Sequence, residues 1–188
     1  MKLLIITFTF LQSLFAALDQ HTLVSDFSLS APQNGVGATE QAITYTGQLT
    51  MHGQQFAIEL LGMEMAYDGQ TLYMYNEDMD ELTLSTPTAD ELLLTNPFLY
   101  AQALLPICQY AEKTMGDYTQ ITLTPHDSAD GIRQFVLRVK TANLMPVYAE
   151  IHELEGQVTS LRLTNPQFIN QSPSFVLEKE GAYINDLR

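Results

Sequence analysis

Apolar and polar residues alternate strictly along residues 43–51, from Ile43 to Met51. Alternation of this kind predicts a β-strand with one face on an apolar interior and the other in water. The pattern continues to residue 75, with turns at His52-Gly53 and at Asp68-Gly69. An Asp-Gly pair between two such runs is typical of a type I′ hairpin, because that turn needs positive φ at both central residues. Residues 41–84 therefore predict an antiparallel β-meander.

A helical region interrupts the series of strands at residues 88–105. Thr88-Ala89-Asp90-Glu91 fits a capping box, and Asn96-Pro97 fits a new N-cap followed by proline at the first helical position. The two short helices are apolar on more than one face, which is typical of helices that cover an apolar surface. The sequence predicts an α+β domain with one large curved antiparallel sheet and a helical insertion. Further strands are predicted at residues 24–29, 120–124, 133–140, 147–154, 158–163 and 174–177.

The net charge of the chain argues against one class of partner. The chain of 188 residues has 8 Lys and Arg against 22 Asp and Glu, a formal net charge of −14. No Lys or Arg occurs between Lys2 and Lys113. A surface of that kind repels phosphate backbones, so we expect no nucleic-acid partner. The length fits one domain with a substantial core.

The N-terminus has the pattern of an export signal. Met1-Lys2 precedes an apolar run over residues 3–17, which is short for a membrane span. We interpret residues 1–17 as a secretory signal peptide, cleaved near Ala16 or Ala17, and residues 18–188 as one domain. A buried N-terminal helix or strand is the alternative. No cysteine follows the run, so we expect an exported, soluble periplasmic protein without a lipid anchor.

Motifs for catalysis or metal binding are missing from the sequence. The four histidines lack zinc-ligand spacing, and the acidic run at residues 77–81 lacks the glycine of a calcium loop, so we expect it at a solvated hairpin tip. Cys108, the only cysteine, has apolar neighbours and is predicted to be buried. Glu150 and Glu153 would suggest a glycosidase only if they faced a cleft. We predict no catalytic residue, no metal and no cofactor.

The apolar residues are more informative than the polar ones. The chain contains 8 methionines, and several lie in the meander beside tyrosines. Flexible thioethers line surfaces that accept ligands of variable shape, but they also fill gaps in ordinary cores, and the sequence leaves both interpretations open. A curved sheet capped by apolar helices would form a closable container for acyl chains.

Several segments occur in an order that resembles a known family. They are Gly47-Gln48-Leu49, residues 66–76 with their Asp-Gly-x-x-Leu pattern, Asn96-Pro97-Phe98, Leu144-Met145-Pro146, Glu155-Gly156 with Leu161-Arg162-Leu163, and the ending Phe175, Gly181, Asp186 and Arg188. In this order they resemble the periplasmic lipoprotein carrier family, the LolA-like chaperones, from about residue 24 to the last residue.

The resemblance implies a half-barrel of about 10–11 antiparallel strands with a short helical lid over its concave face. It implies a monomeric chaperone that shields lipoprotein acyl chains, receives them from an inner-membrane lipoprotein-releasing transporter and delivers them to an outer-membrane acceptor. The residues placed in the acyl-chain cavity are Leu49, Met51, Phe56, Ile58, Met65, Leu72 and Met74. The residues placed on the lid are Leu93, Leu94, Phe98, Leu99 and Leu104.

Two features of the family are not apparent in the sequence. Carriers of this family begin with an amphipathic helix on the open side of the sheet, and here we expect that helix to be missing or vestigial. They also have an arginine near the position of residues 52–55, where this chain has no basic residue. A binder of free lipid or another amphiphile on the same fold is therefore the main alternative. An extracytoplasmic hydrolase that uses paired carboxylates is the second.

Overall fold

One open sheet of twelve strands organises the part of the chain that the structure describes. The computed structural model describes residues 9–32, 42–127, 131–171 and 173–188, without the side chains of Thr9, Asp90, Leu93 and Leu94. The elements are α1 (Thr9–Gln20), β1 (Thr22–Pro32), β2 (Ala42–His52), β3 (Gln55–Leu60), β4 (Met63–Tyr67), β5 (Leu72–Asn76), β6 (Glu81–Ser85), α2 (Ala89–Thr95), α3 (Pro97–Leu104), a 3-10 turn (Leu105–Ile107), β7 (Cys108–Met115), β8 (Tyr118–Pro125), β9 (Ile132–Lys140), β10 (Pro146–Glu153), β11 (Val158–Ile169) and β12 (Tyr183–Asp186).

The strands follow the order β12-β6-β5-β4-β3-β2-β1-β11-β10-β9-β8-β7. Neighbouring strands are antiparallel, except that β12 runs parallel to β6. The helices pack on one face, where Tyr100 of α3 contacts Phe135 of β9 with ring centroids 6.2 Å apart. We call this the concave face and the opposite one the convex face. The predicted fold class, an α+β half-barrel with a helical lid, is confirmed, with twelve strands in place of about 10–11.

The predicted set of strands needs three corrections. Strands β7 and β12 were not predicted, and residues 174–177, predicted as a strand, have no regular structure. These residues belong instead to a segment that covers the convex face of the meander. There Leu177 and Ala182 pack against a small cluster of Ala66, Tyr73 and Leu82. Segment 173–182 therefore covers part of the convex face of the meander.

The hairpins of the meander have the predicted positions but not the predicted turn types. Between β3 and β4 the turn residues Leu61 and Gly62 have φ angles of 52° and 71°, as a type I′ turn requires. At Asp68-Gly69 only the glycine has positive φ, at 102°. That loop is longer, and the Asp68 Oδ1 atom accepts hydrogen bonds from the backbone N–H groups of Gln70 (2.8 Å) and Thr71 (2.7 Å).

The predicted helix starts in the lid region are confirmed. The Thr88 hydroxyl accepts a hydrogen bond from the Glu91 N–H, and the Glu91 carboxylate accepts one from the Thr88 N–H at 2.7 Å. Asn96 begins α3, and its Oδ1 accepts from the N–H groups of Phe98 (3.0 Å) and Leu99 (3.3 Å). Because Asn96 also ends α2, a single buried residue fixes the angle between the two helices.

The N-terminal helix that we expected to be missing or vestigial is present as α1. Its residues Leu11, Leu14 and Leu18 are buried in the main core. The Leu18 carbonyl accepts a hydrogen bond of 2.8 Å from the Gly53 N–H, which ties the helix to the β2–β3 turn. The prediction failed because an apolar helical run at an N-terminus has the pattern of an export signal. The signal peptide over residues 1–17 stays a prediction, and it shares residues 9–17 with α1.

Candidate ligand-binding cavity

A cavity of about 560 Å³ lies between the concave face and the junction of α2 and α3. Side chains from both halves of the sheet line it, so it spans the middle of the half-barrel. Alternation along each strand supplies the walls, because every second residue faces the helices. The apolar lining residues are Phe27, Leu29, Leu49, Phe56, Ile58, Leu60, Met65, Ile132, Ala149, Ile151 and Leu161.

The predicted cavity residues divide into two groups. Leu49, Phe56, Ile58 and Met65 line the cavity. The other three do not line it, although all belong to or pack against the same core: Met51 is 1% exposed, Leu72 is 6% exposed, and Met74 packs on the cluster from its edge. Met51 lies directly below the lid, because the Asn96 side-chain amide donates to its Sδ atom at 3.2 Å.

The predicted lid residues lie away from the cavity lining or outside the described side chains. Phe98 and Leu104 are buried in the main core, and Leu99 is half-buried, but none of the three lines the cavity. The side chains of Leu93 and Leu94 lie outside the described residues. The cavity is instead lined by the helix junction, with Thr95, Asn96, Pro97 and Tyr100. The sequence identified Asn96-Pro97 as the break between two helices, but it did not predict that this pair lines the cavity.

One wall was not predicted because it comes from late strands. Ala149 and Ile151 of β10 and Leu161 of β11 face the cavity across from the meander. Their alternation with polar neighbours was visible in the sequence, but pairing of β1 with β11 is what brings the two halves together. That pairing joins residues far apart in the sequence, such as Phe27 and Leu163. No local pattern encodes it.

Gly47 shapes the meander side of the cavity. It lies opposite Phe27 on β1 and opposite Leu60 on β3. A Cβ atom at residue 47 would lie 2.7 Å from the Phe27 Cζ atom and would overlap the carbonyl oxygen of Glu59. The missing side chain therefore allows the Phe27 ring to lie across β2 and to form part of the cavity wall.

Polar chemistry in the cavity is sparse. Glu150 and Glu153 are at its edge. The Glu150 carboxylate accepts a hydrogen bond from the Tyr148 hydroxyl and contacts His152, both of which are its neighbours on β10. It therefore does not converge with Glu153 on a common point inside the cavity. Among the described residues no cluster of histidine, cysteine, aspartate or glutamate could hold a metal ion.

The remaining sequence expectations concern single positions. Cys108 is buried, at 6% exposure, as predicted. Residues 77–80, three of which are acidic, form an exposed turn between β5 and β6, and the Tyr75 hydroxyl donates to Asp80 at 3.0 Å. In the described part of the chain, no helix is both long enough and apolar enough to cross a membrane.

Comparison with known proteins gives a likeness of fold. No protein-family model matches the chain, and no curated protein sequence matches it. An uncharacterized conserved protein from Thermus thermophilus is similar over 93% of this chain and 98% of its own, with a TM-score of 0.60 and 10% identity. The MucA/MucB complex of Pseudomonas aeruginosa is similar over 88% of this chain and 57% of the matched chain, with a TM-score of 0.50 and 15% identity.

A LolA superfamily protein from Nitrosomonas europaea is similar at a TM-score of 0.42 and 12% identity, over 86% of this chain and 94% of its own. One of the structural neighbours is thus a LolA superfamily protein. At these identities the likeness concerns the fold alone.

Proposed function

We propose that the protein is a periplasmic carrier that holds the acyl chains of lipoproteins in the concave cavity. The observation that carries this proposal is the cavity itself, which measures about 560 Å³ and is walled mainly by aliphatic and aromatic side chains. Its volume lies within the ~300–1,000 Å³ typical of small-molecule sites. A lining so poor in hydrogen-bonding groups favours a ligand whose buried part is hydrocarbon.

Acyl chains fit this lining for an energetic reason. Each buried methylene contributes about 0.8 kcal/mol, so a chain that fills the cavity gains affinity without any polar contact. The same physics makes the site tolerant of chain identity, which suits a carrier of many lipoproteins. The half-exposed thioether of Met65 adds a wall that can adapt to different chains.

The α2–α3 junction is the part of the wall that can open. Helix α3 buries Phe98, Ala101 and Leu104 in the core, and the buried cap Asn96 lies where α3 meets α2. Opening at this junction would expose the cavity to cargo, while the meander and the late strands stay paired. On this proposal, cargo comes from an inner-membrane lipoprotein-releasing transporter and passes to an outer-membrane acceptor, as in the family that the sequence resembles.

We further propose that the cavity binds without catalysis. The hydrolase alternative needs Glu150 and Glu153, at the edge of the cavity, to converge on one point. Glu150 instead contacts Tyr148 and His152. The alternative of a free-lipid binder rests on the same apolar lining and remains the second candidate. Bound acyl chains that are attached to a protein would support the lipoprotein carrier, and bound free lipid would support the lipid binder.

The test is a chain-length series with matched variants. Saturated fatty acids of increasing length should bind the protein with an affinity that rises about fourfold per added methylene, until the chain no longer fits. Leu29→Glu places a carboxylate on the cavity wall and should abolish this series. Ser30→Glu, one residue along β1 on the other face of the sheet, should leave it unchanged.

Circular dichroism and thermal unfolding of both variants establish that each is folded. A flat affinity series in the wild-type protein, or equal binding by the Leu29 and Ser30 variants, would remove the cavity from the proposed function.

A further inference from the structure

A second cavity, of about 540 Å³, lies on the convex face of strands β8–β11. Its floor is a row of residues in direct register: Gln120 faces Arg138, Arg138 faces Tyr148, and Tyr148 faces Arg162. The row crosses four neighbouring strands and is about 15 Å long, since strands lie ~4.8 Å apart. We call it the convex row. Segment 173–182 covers the convex face of the meander but not this cavity.

The walls of the cavity come from two irregular features. On one side the β7–β8 hairpin supplies Met115 and Tyr118, which are 46% and 40% exposed. On the other side β11 bulges at Asn165 and Pro166, where the pairing with β1 shifts register. Asn165 has a φ angle of 52°, which asparagine tolerates well, and Pro166 has no N–H to place in a ladder.

Positive charge is concentrated in this cavity. The chain has 8 Lys and Arg in all, and three of them, Arg138, Lys140 and Arg162, line this one cavity. The guanidinium carbons of Arg138 and Arg162 lie 4.7 Å and 5.4 Å from the centroid of the Tyr148 ring. Two cations therefore share one aromatic ring, in a protein whose net charge is −14.

Arg138 and Arg162 are positioned by groups other than carboxylates, since both lie over the Tyr148 ring. The Arg138 Nε–H donates to the Gln120 Oε1 atom at 3.0 Å. Glu150, the acid on the same face of β10, is engaged by the Tyr148 hydroxyl and by His152. Within the ranges that the structure describes, no ion pair involves Arg138, Lys140 or Arg162. Their positive charge is thus not neutralised by a neighbouring acid at contact distance.

We propose that the convex cavity binds a phosphate group, with Arg138 and Arg162 as its hydrogen-bond donors and Lys140 as a further positive charge. Arginine donates two parallel N–H bonds to phosphate oxygens, and stacking on a tyrosine pre-organises the planar guanidinium group for that geometry. Burial and the hydrogen bond to Glu150 raise the pKa of Tyr148, so the phenol stays neutral between the two cations.

The acidic surface does not prevent such binding at short range. At physiological ionic strength the Debye length is about 8 Å, so acids farther away than that are largely screened from an anion in this cavity. The nearer carboxylate of Glu150 is engaged by Tyr148 and His152. The phosphate can come from a soluble phosphate ester or from the headgroup of an anionic lipid, since both present the same oxygens.

The experiment compares two charge-matched double variants. Arg138→Gln with Arg162→Gln removes both donors, and Arg133→Gln with Arg188→Gln removes the same charge at positions outside the cavity. Each protein is titrated with inorganic phosphate, and the side-chain Nε–H signals of its arginines are followed by NMR. In parallel, sedimentation with vesicles of phosphatidylcholine, alone or mixed with phosphatidylglycerol, reports binding to lipid headgroups.

We expect saturable phosphate binding in the wild-type protein, weakened about tenfold or more in the Arg138/Arg162 variant and little changed in its charge-matched control. Arginine-dependent sedimentation with phosphatidylglycerol vesicles would assign the phosphate to a lipid headgroup, and binding of soluble phosphate alone would assign it to a free ester. Absence of saturable binding to either probe, or equal binding by both double variants, overturns the proposal.

This site is independent of the concave cavity. The Leu29→Glu variant should keep its phosphate binding, so failure of one proposal leaves the other standing.

Discussion

At the scale of single residues, a side-chain oxygen close to backbone N–H groups decides where each lid helix begins. The capping box at Thr88 and the cap at Asn96 form as the sequence indicates, because a side-chain oxygen and nearby N–H groups are enough to fix them. The turn types were predicted less well. A type I′ turn was predicted at Asp68-Gly69, yet the structure places one at Leu61-Gly62, where two residues connect the paired Leu60 and Met63.

Gly47 gives the first prediction. Replacing it with alanine forces a Cβ against the Phe27 ring and the Glu59 carbonyl oxygen, so the free energy of unfolding should fall by about 1–3 kcal/mol. Because Phe27 lines the cavity, ligand affinity should fall as well. Urea unfolding measures the first effect and fatty-acid titration the second.

The comparison variant is Gly156→Ala at a turn, where φ is 91° and a Cβ atom would meet no atom within 4 Å beyond its chain neighbours. Its backbone strain should lower stability but leave ligand affinity unchanged. Equal ligand affinity in the Gly47 variant and wild type would contradict the role given to the contact with Phe27.

Asp68 gives a prediction about pH. Burial opposes its ionisation, but the backbone N–H groups of Thr71 and Gln70 and the Tyr73 hydroxyl together hold the pKa of Asp68 below its ordinary value. Its contribution to stability is therefore complete above the unfolded-state pKa of about 3.9 and is lost as pH falls through the lower folded-state pKa. Asp68→Asn should be less stable than wild type at pH 7, and the difference should shrink as pH falls below about 4.

Urea midpoints measured from neutral pH down to about pH 3 give that difference, with the exposed Asp78→Asn as the control. If the stability difference between wild type and Asp68→Asn is constant over the whole pH range, the charge of Asp68 does not stabilise the β4–β5 loop.

At the scale of elements, predictability followed the strength of the local pattern. The meander alternates clearly, and its strands were found. In β7 only the first two concave residues, Cys108 and Tyr110, are apolar, so alternation fades along the strand. Strand β12 exists only because the edge of β6 accepts it as a parallel neighbour, and its sequence has no alternation of its own. Segment 174–177 has the composition of a strand but serves as a cover for the convex face.

Helix α1 gives the element-scale stability prediction. Leu14 is fully buried in the core, so Leu14→Ala should lower the free energy of unfolding by about 2–5 kcal/mol in protein that carries residues 9–20. The exposed Gln12→Ala on the same helix should have little effect. Thermal and urea unfolding of the two variants provide the measurement. Similar stabilities of the two variants would mean that α1 does not belong to the folded core.

The lid cap gives a second prediction at this scale. Asn96→Ala leaves the buried N–H groups of Phe98 and Leu99 without their acceptor, so it should cost about 1–2 kcal/mol and loosen the α2–α3 junction. Because that junction lines the cavity, ligand affinity should fall too. Thr88→Ala removes the exposed cap of α2, which lies away from the cavity, and should affect stability more than affinity. If both variants change ligand affinity equally, the junction is not a specific part of the site.

At the scale of the whole molecule, the sequence predicted the fold class but only part of the cavity. The fold class follows from alternation, helix signals and the order of segments that resembles the LolA-like carriers. The cavity depends on β1 pairing with β11, which places late strands opposite the meander and brings Ile151 and Leu161 to its wall. The positive cluster on the convex face could not be predicted either. Arg138 and Arg162 are far apart in the sequence, and only the strand register places both beside Tyr148.

Native mass spectrometry of the protein isolated from the cells that produce it would show whether the concave cavity holds the acyl chains of a lipoprotein. We expect one acylated lipoprotein bound per protein, released by the Leu29→Glu variant and retained by Ser30→Glu. The same spectrum gives the mass of the isolated chain and so tests the predicted cleavage near Ala16 or Ala17. Free phospholipid or fatty acid in the cavity would replace the lipoprotein carrier with the lipid binder. An empty protein that also takes up no hydrophobic probe would contradict both.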